Sequence, residues 1–174
     1  MNTPKRHNLV LAIYPNTRGF AFVAFEGPLA PVDWGIKEIR GRRKNQRCLV
    51  GIGAIIERCE PDVFVLQDTS PTGTRRARRI KDLNAEIAEF AEHCGIPVYA
   101  YSRTQVRQAF RHLGLANKHQ IAEAIAKHIP AFEQYLPPVR KPWMSEDGRM
   151  GLFDAAALVL TFFHSAAGGE QEAT

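Results

Sequence analysis

The order of short apolar runs is the feature that most constrains how this sequence can fold. Three such runs follow one another closely, at residues 8–13, 19–25 and 32–40, and Pro or Gly breakers separate them. Runs of this length bounded by breakers are typical of strands. Because the connections are short, the three runs predict an antiparallel meander.

The next part of the chain alternates helical stripes with two more short apolar runs. A strand, a helix and a strand within about 30 residues predict a parallel crossover. The sequence therefore predicts an α/β fold with a mixed five-stranded sheet, three antiparallel strands followed by parallel ones, and helices on both faces. The further predicted strands are residues 62–67 and 97–101, and the predicted helices are 46–59, 75–94, 103–113, 117–128 and 154–164.

Length and composition indicate one domain. The chain has 174 residues, of which 45% are hydrophobic, so we expect a single core over residues 1–166 and a flexible acidic tail over 167–174. The longest apolar runs fall short of the roughly 20 residues of a membrane span. We therefore expect a cytoplasmic protein without a membrane partner. The three cysteines lack metal or disulfide spacing.

Positive charge is concentrated in two segments. The formal net charge is +5, and the two segments hold 11 of the 23 basic residues. Each cluster alone could be a solvated face, but two clusters in one small domain favour a polyanionic partner. The first cluster comprises Lys37, Arg40, Arg42, Arg43, Lys44 and Arg47, and the second comprises Arg75, Arg76, Arg78, Arg79 and Lys81.

The second cluster lies at the predicted start of a helix, which Thr72 or Thr74 could cap. The first turn of a helix normally favours acidic residues, because its free N–H groups carry partial positive charge. Arginines at this position combine backbone donors with bidentate side chains, an arrangement suited to phosphate. We therefore expect the backbone of a nucleic acid to bind there.

Four segments in the same order resemble the RuvC family of bacterial Holliday-junction resolvases, which have the ribonuclease H-like fold. These segments are LVLAIYPNTRGFAF, PDVFVLQDT, PVYAYSRTQVRQAFRHLGLANKHQIAEAIAKHI and FDAAALVLTFFH. They sample nearly the whole chain. The resemblance implies a ribonuclease H-like fold and a nucleic-acid partner.

The resemblance also implies a catalytic site that has departed from the family pattern. Family members use four acidic residues to hold two Mg²⁺ ions, which activate water and stabilise the leaving oxygen. The matching positions here are Tyr14, Gln67, a position near Gly151, and Asp154. Only Asp154 is acidic, and a phenol or an amide is a weak ligand for Mg²⁺. We therefore expect nuclease activity to be lost or much reduced.

Other interpretations of these positions stay open. Asp68 could join Asp154 with Glu146 or Asp147 and restore a Mg²⁺ or Mn²⁺ site, provided that the strand ends or bulges at Asp68. Asp154 could instead be a helix N-cap. Tyr14 and Gln67 could form a hydrogen-bonded polar plug.

The predicted function is binding of branched DNA or structured RNA with little or no cleavage. The first alternative is an active Mg²⁺- or Mn²⁺-dependent endonuclease that uses Asp154 and Asp68, and the second is a scaffold module. The resemblance further implies a homodimer and binding roles for Arg107 and Lys118. The residues predicted to bind nucleic acid are Arg42, Arg43, Lys44, Arg75, Arg76, Arg78, Arg79, Arg107 and Lys118.

Overall fold

A computed structural model describes residues 9–70, 76–115 and 117–172, and it confirms the predicted mixed sheet. The strand order is β3-β2-β1-β4-β5. β1 pairs antiparallel with β2, which pairs antiparallel with β3. β4 is parallel to β1 and β5 is parallel to β4. The strands are β1 (Val10–Pro15), β2 (Gly19–Phe25), β3 (Pro31–Glu38), β4 (Val63–Gln67) and β5 (Val98–Tyr101).

Five α-helices are present in the described residues, close to the predicted positions. They are α1 (Lys44–Cys59), α2 (Arg78–His93), α3 (Arg103–Phe110), α4 (Lys118–His128) and α5 (Met150–Glu172). A 3₁₀ turn at Arg111–Leu113 completes the segment predicted as one helix over residues 103–113. A second 3₁₀ segment, Pro130–Tyr135, was not expected from the sequence.

The two faces of the sheet carry separate apolar cores. Along β1, Leu11 and Ile13 point to the face covered by α1 and α2. Val10 and Ala12 point to the face covered by α3, α4 and α5. Alternate residues of a strand point to opposite faces, so a continuous apolar run serves both layers. The prediction of helices on both faces is thus confirmed.

Helix α5 begins at Met150, four residues before the predicted start, and continues to Glu172. Asp154 therefore lies one turn inside the helix, and its interpretation as an N-cap is wrong. The turn that opens the helix starts at Asp147, whose carbonyl accepts a hydrogen bond from Met150 N. The predicted boundary between domain and tail, at residues 166 and 167, falls within this helix.

The start of α2 also differs from the prediction. The helix begins at Arg78, and Ala77 is its N-cap residue, without a side-chain hydrogen bond. The predicted capping residues, Thr72 and Thr74, lie outside the described residues. Arg76 precedes the helix, so its side chain is not part of the first helical turn.

Helix α5 includes a stretch, Met150–Ala167, that is long and apolar enough to cross a membrane by length and composition alone. Within the protein 61% of that stretch is buried. The helix packs on β1 and β2 at the centre of the sheet. Its apolar composition is therefore that of a core helix.

Candidate functional site

A pocket of about 200 Å³ lies where β1 ends, beside the first turns of α5. Its lining includes Tyr14 from β1, Arg76 from the segment before α2, and Asp154 from α5. Glu146 and Asp147 line it from the loop that precedes α5. The fold thus brings together three of the four sequence positions matched to the family's acids: Tyr14, Asp154 and the position near Gly151.

Tyr14 is bound by an arginine. Arg76 Nη1 donates a hydrogen bond of 2.6 Å to the Tyr14 hydroxyl, and the guanidinium carbon lies 4.8 Å from the centre of the phenol ring. Arg76 Nη2 donates to the carbonyl of Pro15. Arg76 was predicted to bind phosphate from a helix terminus, whereas the structure turns it into the pocket. The Tyr14 hydroxyl accepts a hydrogen bond here from a cation.

Lys118 forms an ion pair with the one acid retained. Its Nζ lies 2.9 Å from Asp154 Oδ2, and it also donates to the Glu146 carboxylate. The same Nζ lies 5.7 Å from the centre of the Tyr14 ring. Lys118 is the first residue of α4, whose N-cap Asn117 forms a capping box with Gln120. This cap fixes the helix start and so directs Lys118 towards Asp154 and Glu146, which line the pocket.

Burial and neighbouring charges shift the pKa values of three groups at the site, Asp154, Tyr14 and Lys118. Burial raises the pKa of Asp154 to about 6, although the neighbouring Lys118 acts to lower it. Burial, together with the charge of Asp154, raises the pKa of Tyr14 above its usual value, so the phenol keeps its proton at neutral pH. Burial acts to lower the pKa of Lys118, but Asp154 and Glu146 outweigh it and raise that pKa.

The donor set of this pocket does not fit two Mg²⁺ ions. Tyr14 supplies a protonated phenol. The carboxylates of Asp154 and Glu146 both pair with Lys118, and the third carboxylate of the pocket, Asp147, pairs with Arg149. Mg²⁺ prefers anionic oxygen ligands in octahedral geometry. Among residues 9–70, 76–115 and 117–172, no group of three His, Cys, Asp or Glu side chains is placed to hold a metal ion.

Gly151 leaves little room for a third acid. A Cβ at this position would lie 3.1 Å from Asn16 Nδ2 and 3.3 Å from the Cβ of Ala21. These separations are shorter than ordinary van der Waals contact, so a carboxylate side chain here would require its neighbours to move.

Gln67 and Asp68 do not line the pocket. The Gln67 side-chain oxygen is buried without a hydrogen-bond partner in the described part of the chain. Of the two residues of the predicted polar plug, Tyr14 is hydrogen-bonded and Gln67 Oε1 is not. Asp68 directly follows β4, and its Oδ1 accepts hydrogen bonds from Ser70 N at 2.9 Å and Ser70 Oγ at 2.6 Å.

The loop acids have partners too. Glu146 pairs with Lys118, and Asp147 pairs with Arg149 at 2.7 Å, which helps to lower the pKa of Asp147 to about 2. Two of the carboxylates that the sequence offered for a restored metal site, Glu146 and Asp147, thus lie in the same pocket as Asp154, but both are engaged in ion pairs. The third, Asp68, does not line the pocket.

The two basic clusters, which are about 30 residues apart in sequence, meet in space. Arg79 Nη1 donates to Asn45 Oδ1 at 2.9 Å, and Asn45 Nδ2 donates to the carbonyl of Arg79 at 3.0 Å. Lys44 Nζ donates to the carbonyl of Thr17 at 2.8 Å. Thr17 lines the pocket, so both clusters border it. We call this region the basic rim; it comprises Arg42, Arg43, Lys44, Arg78 and Arg79.

The residues predicted to bind nucleic acid do not all lie on this rim. Arg42, Arg43 and Arg78 are exposed on it, whereas Arg107 is exposed on α3, which packs on the other face of the sheet. Arg75 lies outside the described residues. Sequence analysis missed Arg18, which lines the pocket from the turn after β1. Its position four residues after Tyr14 was the only sequence signal for it.

Searches with protein-family models and among curated proteins found no match. Solved structures are similar over nearly the whole chain. RuvC of T. thermophilus in complex with Holliday junction substrate superposes with a TM-score of 0.68 at 19% identity, covering 94% of this chain and 97% of that one. This chain has a RuvC-like fold.

Two further structures agree with the RuvC-like fold. A second Thermus thermophilus RuvC structure gives a TM-score of 0.63 at 22% identity, over 92% of this chain and 96% of that one. The yeast mitochondrial Holliday junction resolvase Ydc2 gives 0.60 at 12% identity, over 91% and 78%. The predicted ribonuclease H-like fold class is thus confirmed.

Proposed function

We propose that this protein binds branched DNA and does not hydrolyse its phosphodiester bonds. The observation that carries the proposal is Tyr14, which stands at the position of the family's first acid and whose hydroxyl is bound by Arg76 at 2.6 Å. The similar RuvC structure solved with a Holliday junction substrate supports DNA as the partner.

The basic rim supplies the affinity. Arg42, Arg43 and Arg78 are exposed, and the Arg78 side chain keeps 93% of its surface accessible despite a 4.0 Å contact with Asp82. Guanidinium groups bind phosphate through paired N–H donors. Because Lys44 and Arg79 are hydrogen-bonded to the turn after β1 and to α1, the rim has a fixed position beside the pocket.

We expect no cleavage because three of the four positions matched to the family's acids lack a carboxylate. Metal-dependent hydrolysis of a phosphodiester needs anionic groups that position the ions against the attacking and leaving oxygens. Asp154 is the only carboxylate at the four matched positions, and its charge is balanced by Lys118. The positive groups that line the pocket are the guanidinium groups of Arg76 and Arg18, next to which a phosphate can bind.

Salt dependence of binding tests the proposal. We expect a four-way DNA junction to bind more tightly than a linear duplex or double-stranded RNA of the same sequence. Each phosphate contact contributes about −0.9 to the slope of log affinity against log salt. Removing three charges with Arg42→Ala, Arg43→Gly and Arg78→Ala should therefore make the slope shallower by about 2 to 3. Gly is chosen at position 43 because Arg43 has a left-handed backbone, φ 56°.

Lys127→Ala is the matched control, since Lys127 is exposed on α4, on the opposite face of the sheet. It should leave the slope unchanged. A wild-type protein that shows no salt-dependent binding would overturn the proposal and favour the scaffold function. If the protein prefers double-stranded RNA to the junction, its partner is RNA and not branched DNA. We also propose a homodimer, which sedimentation of the purified protein tests directly.

A further inference from the structure

We propose that Trp143 stacks on an unpaired nucleobase of the bound nucleic acid, an inference that rests on the proposed function. Trp143 lies in the loop between the 3₁₀ segment Pro130–Tyr135 and α5. Its exposed fraction is 78%, and Val139 and Met144 of the same loop are 69% and 49% exposed. The loop therefore presents an apolar surface to solvent.

The other tryptophan shows the contrast. Trp34 packs edge-on against Phe132 with ring centres 5.4 Å apart and belongs to the core on its face of the sheet. Burial of an aromatic side chain is strongly favourable, so a tryptophan left almost fully exposed marks a binding surface more often than a random position does. Trp143 makes no contribution to the core that would explain its presence.

The surroundings of Trp143 match a nucleotide better than an apolar protein surface. Arg140 and Lys141 are both exposed on the same loop, and Lys141 Nζ lies 5.4 Å from the centre of the Trp143 ring. An apolar partner would have to remove water from these charges, which is costly. A nucleotide can place its base on the ring while its phosphate pairs with the ammonium group.

The chain places Trp143 close to the pocket. Glu146, three residues further on, lines the pocket, and its carboxylate accepts a hydrogen bond from Lys118 Nζ. Three residues span at most about 11 Å, and stacked bases on one strand are about 3.4 Å apart. A base under Trp143 would thus lie only a few nucleotides from a phosphate at the pocket. The loop is held there, because Met144 N donates to the Lys141 carbonyl and Asp147 opens α5.

Stacking of this kind distinguishes DNA shapes. In a linear duplex each base is already stacked on both sides, whereas a branch point or single strand offers a free face. The binding energy from Trp143 should therefore appear only with a branched or single-stranded ligand. Exposed phosphate contacts, by comparison, strengthen binding to every form of DNA.

The experiment compares Trp143→Ala, Trp143→Phe and wild type on two ligands, a four-way junction carrying 2-aminopurine at the crossover and a linear duplex of the same sequence. Loss of one stacked base should weaken junction binding roughly 5- to 100-fold. We expect Trp143→Ala to show that loss and to abolish the change in 2-aminopurine fluorescence, while its affinity for the duplex stays unchanged. Trp143→Phe should keep most of the junction affinity.

Leu29→Ala is the matched control, because Leu29 is an exposed apolar residue, 57% accessible, in the turn between β2 and β3. It should behave as wild type on both ligands. Junction affinity unchanged in Trp143→Ala, or equally weakened on junction and duplex, would overturn the inference. Failure of the proposed function itself is seen separately, as wild-type protein that binds neither ligand.

Discussion

Arg76 Nη1 donates a 2.6 Å hydrogen bond to the Tyr14 hydroxyl at the carboxyl end of β1, with the guanidinium carbon 4.8 Å from the centre of the tyrosine ring. A cation therefore binds the residue that stands where the first acid is expected. This pairing holds the Tyr14 side chain in the wall of the pocket.

Breaking the pairing should lower stability. Tyr14→Phe removes the acceptor of a charged hydrogen bond and leaves Arg76 Nη1 half-buried without it, so we expect a loss of about 1–3 kcal/mol in the free energy of unfolding. Urea denaturation measures it. Tyr135→Phe, another half-buried tyrosine, is the control and should change the free energy much less. Equal losses in both variants would show that the pairing with Arg76 is not the cause.

Lys118→Met should lower the free energy of unfolding by more than a substitution at a partly exposed lysine usually does. The change leaves Asp154, whose side chain is 12% exposed, without the ammonium group 2.9 Å away. Loss of one partner of a buried ion pair costs about 3–5 kcal/mol, and less where water reaches the pair. Adding Asp154→Asn should restore much of the loss, because the uncompensated charge is gone. A double variant no more stable than Lys118→Met would contradict this account of the pair.

The free energy of unfolding should depend on pH through the titration of Asp154. The folded pKa of about 6 lies above the ordinary value of 3.8, so the folded state holds the proton more tightly than the unfolded state. Stability from this group is therefore fully present below about pH 4 and is lost as the pH rises to about 6. The loss amounts to about 3 kcal/mol at most.

The difference in unfolding free energy between wild type and Asp154→Asn, measured from pH 4 to pH 7, isolates this group. The raised pKa values of Lys118 and Tyr14 keep the first charged and the second neutral throughout, so they contribute little to the slope, and the other titratable groups are common to both proteins. We expect wild type to lose stability relative to the variant as the pH rises. A difference that is flat, or that grows in the other direction, would show that Asp154 has no raised pKa.

Metal binding should appear when carboxylates are added to the site. Tyr14→Asp with Gln67→Glu adds two acids to Asp154 at positions that the fold places at the ends of adjacent parallel strands, β1 and β4. We expect the double variant to bind Mn²⁺, seen by electron paramagnetic resonance, and wild type to bind none. A folded double variant without bound Mn²⁺ would show that the pocket has lost the required geometry.

Gly151→Asp would add a third acid to that site, but it should lower the free energy of unfolding. Its Cβ would meet Asn16 Nδ2 and Ala21 Cβ at 3.1 and 3.3 Å, and overpacking of this kind costs about 1–3 kcal/mol. Thermal unfolding of the single variant measures the loss, with Gly53→Ala as the control, since a Cβ there would meet nothing closer than 3.6 Å. Equal stability of both variants would mean that the site has room for a third acid.

Most of the fold could be predicted because local patterns and topology agree. The run at residues 19–25 became β2 with the predicted bounds, and the short loops and the crossover fixed the direction of every strand. The start of α5 could not be predicted, because Gly148 and Gly151 interrupt the apolar periodicity and Asp154 has the chemistry of an N-cap. Tertiary packing decided that boundary.

The candidate site was harder to predict than the fold. Charge counting found both basic clusters, but a cluster in sequence does not show where each side chain points. Arg76 turns inward to Tyr14 whereas Arg78, two residues on, stays exposed. The hydrogen bonds between Asn45 and Arg79 join segments 34 residues apart, which no local pattern encodes.

The most direct test of the central claim incubates purified wild-type protein with a labelled four-way junction in Mg²⁺ or Mn²⁺, with native gels for binding and denaturing gels for cleavage. The account predicts a shifted junction whose strands stay intact. Cleaved strands in wild type that disappear in Asp154→Asn would contradict it and identify an active endonuclease.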